Sequence, residues 1–263
     1  MSIHRIYAII LRNLYIWPRG IERFMWSIGW PLLSIITWGL TATYLQQNSS
    51  FHFSIVALIL GGIIFWTFTS RSQLEVTICF MEEYWNKNLI NIFSTPLSMS
   101  EFLVAAVILD ILKLIISTIF LTIFAQLLYS FNILMFGWYF PAFFISLVLF
   151  GWIFGYFVIA LIIRFGVNAH ELAWSLIAFL SPFMCIYYPL SALPIWAKTI
   201  GLLLPPTYIF EEMRRFMIYH TVIWQNLLVS FLLNIFYLVA VLLFLYFMFE
   251  KARETGRLTK LEG

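Results

Sequence analysis

The chain has 263 residues, of which 63% are hydrophobic and only 10% are charged, and its formal net charge is +3. Soluble domains carry about 25% charged and about 45–50% apolar residues, so this composition excludes an ordinary soluble protein. Apolar runs of about 18 residues or more recur along the chain, which is typical of transmembrane helices. The sequence therefore predicts an all-α polytopic membrane protein with one transmembrane domain over residues 1–263.

The hydrophobic runs predict six transmembrane helices between residues 25 and 249, with an interface helix before them (1–24) and a tail after them (250–263). The predicted spans are residues 25–46, 53–70, 102–129, 139–163, 172–190 and 226–249. Placing both termini in the cytoplasm puts most lysines and arginines on the inner side, as the positive-inside rule requires. We therefore expect both termini in the cytoplasm.

The N-terminal segment, residues 3–17, has the periodicity of an amphipathic helix. Arg5 and Arg12 lie seven residues apart and so on nearly one face, and Pro18 is expected to end the helix. Such a helix is expected in the inner interface, with its arginines toward anionic lipid headgroups. A second role, as a collar that contacts a cytoplasmic partner, stays open.

The second connection, residues 71–101, is the longest one predicted on the cytoplasmic side. A break is expected at Thr95-Pro96, and Ser98 with Glu101 forms a capping-box pattern that begins the third span. The connection also gathers acids and aromatics of the kind that anchor protein interfaces. These candidate partner-contact residues are Glu82, Glu83, Tyr84, Trp85 and Lys87. The alternative is a solvated helical loop with interfacial aromatics.

Two charges, Asp110 and Lys113, lie inside the third span. A charge near the bilayer centre costs at least about 2.5–3.5 kcal/mol on insertion scales. The i, i+3 spacing places both on one face, extended by Ser117, where they could neutralise each other. We expect a structural ion pair that faces other helices or a crevice. Direct contact with a substrate and a proton relay are the alternatives.

The fifth connection, on the predicted outer side, carries a cluster of charges after Pro205-Pro206. Its members, Glu211, Glu212, Arg214 and Arg215, are spaced for i, i+3 and i, i+4 pairs. We expect a short amphipathic segment before the last span, which either closes an outer gate or anchors that span at the interface.

Aromatic residues make up 20% of the chain, with 28 Phe, 13 Tyr and 11 Trp. Some are expected in interfacial belts. Others fall in the predicted second and fifth spans, where they either pack or line a path for sugars or flat amphiphiles. The candidates for such a path are Trp66, Phe68, Phe179, Phe183 and Tyr187.

Several patterns of chemistry are missing. The chain contains no G-x-x-x-x-G-K-[ST] phosphate-binding loop, and "HEL" at 170–172 lacks the second histidine of a zinc-protease helix. Cys79 and Cys185 are too few for a disulfide framework or a cysteine metal site, and packing roles are expected for both. The possible catalytic groups Asp110, His170 and Glu171 and the outer charges fall at different depths, which argues against an enzyme. Nothing suggests nucleic-acid recognition.

In their order along the chain, these features resemble the membrane subunit (permease) of ABC-2 type exporters. The resemblance rests on the amphipathic N-terminal helix, the six spans, the "STPLSMSEF" exit of the second connection, and "YYPLSALPIWAKTIGLLLPPTYIFEEMRRF" before the last span. Pro194, Pro205, Pro206, Glu211 or Glu212, and Arg214 or Arg215 match the family's proline and E-x-x-R pattern.

The resemblance implies two permease subunits with two copies of a separate ATP-binding subunit that carries ATP and Mg. We expect a homodimer of this chain, and a heteromeric permease pair stays open. It implies that the second connection contains the coupling helix, which docks on that ATPase, and that residues 191–220 form short re-entrant outer helices. It also implies a bacterial inner membrane protein, surrounded by lipid, that exports a glycan, a lipid-linked molecule or an amphiphilic drug. The alternatives from other classes are a proton-coupled secondary transporter using Asp110 and Lys113, and a membrane enzyme or assembly scaffold.

Overall fold

The computed structural model describes residues 2–17, 25–48, 54–166 and 171–254. It is 87% helical, and no strand occurs among the residues it describes. The predicted all-α class is therefore confirmed. Pro18 and His170 lie outside the described residues, as does the end of the tail from residue 255.

The helices follow one another along the chain with short connections. In chain order they are α1 (Ile3–Ile16), α2 (Trp30–Gln47), α3 (Ile55–Trp85), α4 (Leu89–Ser94), α5 (Met99–Tyr129), α6 (Tyr139–Phe165), α7 (Leu172–Leu180), α8 (Ile195–Leu202), α9 (Pro205–Tyr219) and α10 (Trp224–Glu254). A π-helical turn, Met25–Gly29, leads into α2. Short 3-10 turns cover Ile133–Phe136, Ser181–Met184 and Leu190–Ala192.

Within the described part of the chain, four helices are long and apolar enough to cross a membrane: α3, α5, α6 and α10. They support an integral membrane protein and correspond to four of the six predicted spans. The first predicted span, 25–46, corresponds to α2, which is not among those four. The fifth, 172–190, contains only the nine-residue α7, after which Pro182 sits in a 3-10 turn and the backbone becomes irregular. Six spans are therefore not confirmed.

Helix α3 is longer than the predicted second span, 53–70. It runs without a break for 31 residues and therefore places Arg71 and Glu75 inside a candidate membrane span. At 1.5 Å per residue it is about 46 Å long, against about 30 Å for the hydrocarbon core of a bilayer. The hydrophobic run alone does not predict this continuation, because a helix can continue through polar residues when neighbouring helices cover their side chains.

The most extensive helix packing joins α3 to α6. Gly151 and Gly155, a G-x-x-x-G pair on α6, allow it. A Cβ atom on Gly151 would lie 2.6 Å from the carbonyl oxygen of Thr69 and 2.7 Å from Cβ of Ser72. The backbones of the two helices can approach this closely only because position 151 has no side chain.

Aromatic rings fill the core between α3, α6 and the turn that precedes α6. Phe65, Phe68, Phe136 and Phe143 are fully buried. The ring centroids of Phe65 and Phe136 lie 5.1 Å apart, within the range of favourable tilted and edge contacts. Packing therefore accounts for part of the high phenylalanine content.

A buried polar network fastens α10 to the bundle. Asn234 Nδ2 donates to Ser146 Oγ at 2.9 Å, the hydroxyls of Ser146 and Ser230 lie 2.7 Å apart, and Ser230 Oγ donates to the Pro205 carbonyl at 2.9 Å. Most of the apolar surface of α10 otherwise lies outside the core. Small polar side chains at helix interfaces are a common means of association in membranes.

Candidate functional site

The amphipathic helix α1 packs against α5 and is held there by ion pairs. Arg5 lies 3.5 Å from Glu101, whose Oε1 also accepts from the backbone N–H of Ser2 at 2.6 Å. Arg12 is paired with Glu83 near the end of α3. The arginines that were expected to face lipid headgroups therefore contact carboxylates of the protein, and α1 ties the end of α3 to the start of α5.

The connection between α3 and α5 is shaped by local hydrogen bonds. Ser98 Oγ accepts from the Glu101 N–H at 3.2 Å, and Glu101 Oε2 accepts from the Ser98 N–H at 2.9 Å. The predicted capping box is thus confirmed. The expected break at Thr95-Pro96 is present as well, because Thr95 is extended and ends α4.

The structure separates the five candidate partner-contact residues into two groups. Glu83 and Tyr84 are buried, and Glu83 Oε2 also accepts from Asn88 Nδ2 at 2.9 Å. Glu83 therefore helps to hold the helix end in place, while contact of these two residues with a partner stays a prediction. Trp85 is 51% exposed, Lys87 is exposed in a left-handed turn with φ 51°, and Glu82 is half-buried.

The intramembrane pair is formed by different residues from those expected. Lys113 Nζ lies 2.7 Å from Glu75 Oε2 of α3, whereas Asp110 Oδ2 accepts from the indole N–H of Trp152 at 2.6 Å. The i, i+3 spacing of Asp110 and Lys113 allowed a pair within α5, but Glu75 on the adjacent helix reaches the ammonium instead. Glu75 was not predicted as a partner of Lys113, because the second span was expected to end at residue 70.

Four charged residues line one small cavity in this region: Arg71, Glu75, Asp110 and Lys113, with Ser117 beside them. The cavity has a volume of 10 Å³, about that of one water molecule. Asp110 is fully buried, and its Oδ1 has no hydrogen-bond partner among the described residues. In the sequence, the signal for this cluster is the i, i+4 spacing of Arg71 and Glu75, which places both side chains on one face of α3.

The Glu211–Arg214 pair holds the irregular backbone that follows α7. Arg214 Nη2 lies 3.0 Å from Glu211 Oε1 and donates to the Cys185 carbonyl at 2.6 Å. Glu211 Oε1 also accepts from the Leu190 N–H at 2.7 Å. This pair therefore fixes both ends of the segment 185–190.

The Glu212–Arg215 pair lies at the junction of α9 and α10. Glu212 is fully buried, its Oε2 accepts from the Ile223 N–H at 2.7 Å, and Arg215 lies 3.7 Å from its Oε1. Both expected i, i+3 pairs are thus present, and α9 is a helix that precedes the last span. Pro205-Pro206 begin this helix, where the missing N–H groups cost no hydrogen bond.

Two of the five candidate path aromatics meet at one groove. Trp66 and Tyr187 line a groove of 240 Å³ between α2 and α3, and the ring of Tyr187 stacks on Trp38 with centroids 5.3 Å apart. The other three lie elsewhere. Phe68 is buried in the core, Phe179 is 75% exposed, and Phe183 packs edge-on against Trp196.

The residues considered for enzyme chemistry differ in their exposure. Glu171 is exposed at the start of α7, whereas Asp110 is buried in α5. Cys79 and Cys185 are both buried. Among the described residues, no group of three or more His, Cys, Asp and Glu side chains could hold a metal ion.

No model of a known protein family matches the chain, and no curated protein matches it either. The resemblance to ABC-2 permeases therefore stays a prediction.

Proposed function

We propose that this protein is the permease subunit of an ATP-driven exporter of the ABC-2 type. Two copies would pair with two copies of a separate ATP-binding subunit, which carries ATP and Mg, and would move a glycan, a lipid-linked molecule or an amphiphilic drug outward. The chain would reside in a bacterial inner membrane with both termini in the cytoplasm. The absence of a phosphate-binding loop fits this division of labour, because the nucleotide chemistry belongs to the partner.

The proposal rests on the connection between α3 and α5, because both of its ends are fixed to α1 by ion pairs. Helix α3 exceeds the thickness of the hydrocarbon core, and its end is fixed to α1 through Glu83 and Arg12. The start of α5 is fixed to α1 through Glu101 and Arg5. A force applied to this connection would therefore move α1, α3 and α5 together, as a permease requires from its ATPase.

The surface for the ATPase lies at the end of α3. Trp85 and Lys87 are exposed there, in contrast to the neighbouring Glu83 and Tyr84. An exposed tryptophan is a typical anchor of protein interfaces. We therefore place the partner contact at Trp85 and Lys87, with α4 as the short coupling helix.

The test is to express the protein with the ATP-binding protein encoded by a neighbouring gene. We expect ATP hydrolysis from the purified complex and none from this chain alone. A cysteine at position 85 or 87 should crosslink to the partner. A cysteine at Trp138, which is 95% exposed immediately before α6, is the matched control and should not. Crosslinks confined to the tail, residues 251–263, or equal crosslinking at 138, would contradict the assignment.

The outer charges would act as a gate in this transporter. Glu211 and Arg214 hold the segment 185–190, and Tyr187 of that segment stacks on Trp38 at the aromatic groove. Reversing the charges of Arg214 and Arg215 should raise uncoupled ATPase activity or leak, and reversing Glu211 and Glu212 as well should partly restore control. Labelling of a cysteine at 212 from the cytoplasmic face alone would overturn the topology.

A proton-coupled secondary transporter is the second candidate, and the buried charge cluster favours it. Asp110 is fully buried with one oxygen unpartnered, in a cavity shared with Arg71, Glu75 and Lys113. Intramembrane ionisable residues often belong to proton relays. If this function holds, proteoliposomes without ATP should pass protons under an imposed pH gradient, and Asp110→Asn should abolish the flux.

A further inference from the structure

The aromatic groove combines ring faces, hydroxyls and one cation. Trp30 and Trp38 of α2 form one wall, Trp66 and Arg71 of α3 form the other, and Tyr187 closes an end. The two tryptophans of α2 are 56% and 42% exposed, so their rings can meet a ligand without prior unfolding.

The wall chemistry suits a ring that bears hydroxyl groups. Aromatic faces carry partial negative charge and attract polarised C–H groups, which the faces of sugar rings present. Thr67 Oγ1 donates to the Ile63 carbonyl at 2.9 Å, and Ser70 Oγ donates to the Trp66 carbonyl at 3.0 Å. Their hydroxyl hydrogens are therefore used within α3, while lone pairs of both oxygens can accept hydrogen bonds from ligand hydroxyls.

Arg71 adds a selective charge to the groove. It lines both the aromatic groove and the small charged cavity behind it. The Glu75 carboxylate in that cavity is in contact with Lys113 at 2.7 Å, so Arg71 shares this carboxylate with a second cation. A guanidinium in this position can form paired hydrogen bonds with a carboxylate or a phosphate.

A second groove on the helix bundle has a different lining. Between α6 and α10 lies a groove of 390 Å³ whose lining is almost wholly apolar, which suits an acyl chain. The aromatic groove, at 240 Å³, is smaller than the roughly 300–1,000 Å³ of pockets that enclose drug-sized ligands. It therefore holds a ring-sized polar portion of a ligand.

We propose that the aromatic groove binds an acidic carbohydrate, with the indole rings against the sugar face and Arg71 on the carboxylate or phosphate. Arg71 is the residue that distinguishes acidic from neutral sugars. This inference rests on the proposed export function and names the class of substrate.

The test measures binding to the purified chain alone, in nanodiscs of a zwitterionic lipid, by isothermal titration calorimetry. The probes are a hyaluronan tetrasaccharide, which is acidic, chitotetraose as its neutral match, and deoxycholate as a flat anionic amphiphile. We expect tighter binding of the acidic tetrasaccharide. Arg71→Gln should weaken it about tenfold or more and leave chitotetraose unchanged, because a hydrogen bond to a charged group is lost. Arg71→Lys should keep part of the preference.

A second variant separates binding from folding. Trp38→Leu changes a partly exposed side chain and should weaken both sugars, whereas Trp138→Leu, at an exposed position outside the groove lining, should change neither. Equal affinity for both sugars, a preference that survives Arg71→Gln, binding of deoxycholate alone, or binding of no probe each overturns the inference. Nucleotide hydrolysis by the complex is measured separately, so an active complex without sugar binding refutes the ligand class and leaves the exporter proposal standing.

Discussion

Removing the ammonium of Lys113 is the most direct test of the buried charge cluster. Lys113 and Glu75 are 2.7 Å apart, and each side chain is only 17% exposed. Breaking a buried pair by removing one partner costs about 3–5 kcal/mol, because the other charge loses its direct partner. For a chain of this size, 1 kcal/mol corresponds to about 2–4 °C in melting temperature. Lys113→Met should therefore lower it by about 6–20 °C.

The assay is a double-mutant cycle on thermal unfolding in detergent. Glu75→Gln and Lys113→Met should each destabilise the protein. The double variant should recover much of the loss, since it removes one charge of each sign and leaves Arg71 and Asp110, which are opposite in sign, in the cavity. We expect an interaction free energy of about 1–3 kcal/mol. The matched control is the cycle of Asp110→Asn with Lys113→Met. Its coupling should be smaller, because Asp110 is hydrogen-bonded to Trp152.

The comparison between the two cycles shows which carboxylate pairs with Lys113. If Asp110 couples to Lys113 more strongly than Glu75 does, the pairing between helices is wrong and the pair within α5 is restored. If the effects of Glu75→Gln and Lys113→Met simply add, the two groups do not interact at all.

Three further predictions address other contacts. Gly151→Ala should lower the free energy of unfolding by about 1–3 kcal/mol, and by more than the control Gly155→Ala does. The added Cβ atom would lie 2.6 Å from a backbone oxygen at position 151 and 3.1 Å from one at position 155. Thermal unfolding measures both losses, and the reverse order would contradict the packing. Arg214→Lys should lower the melting temperature more than Arg215→Lys, since only the former is bonded to two carbonyls, and equal losses would count against that role. Glu83→Gln should speed amide hydrogen exchange over α1, and unchanged exchange would show that α1 is held otherwise.

Features that depend only on residues close to one another in the sequence could be predicted from it. The capping box of Ser98 and Glu101 and the i, i+3 pair of Glu211 and Arg214 are both present, because each needs only one turn of helix. The end of α3 could not be predicted by the hydrophobic run, since Arg71 and the residues after it continue the helix wherever other helices supply partners.

The amino-acid sequence by itself determined that the protein is helical and has helices suited to a membrane, because composition and local hydrophobicity decide both. The tertiary structure alone decided which charges meet. Glu75 reaches Lys113, Glu83 reaches Arg12 and Glu101 reaches Arg5, each across a large separation in sequence. These pairings depend on how helices rotate and approach one another, and at Gly151 that approach is set by the absence of one side chain.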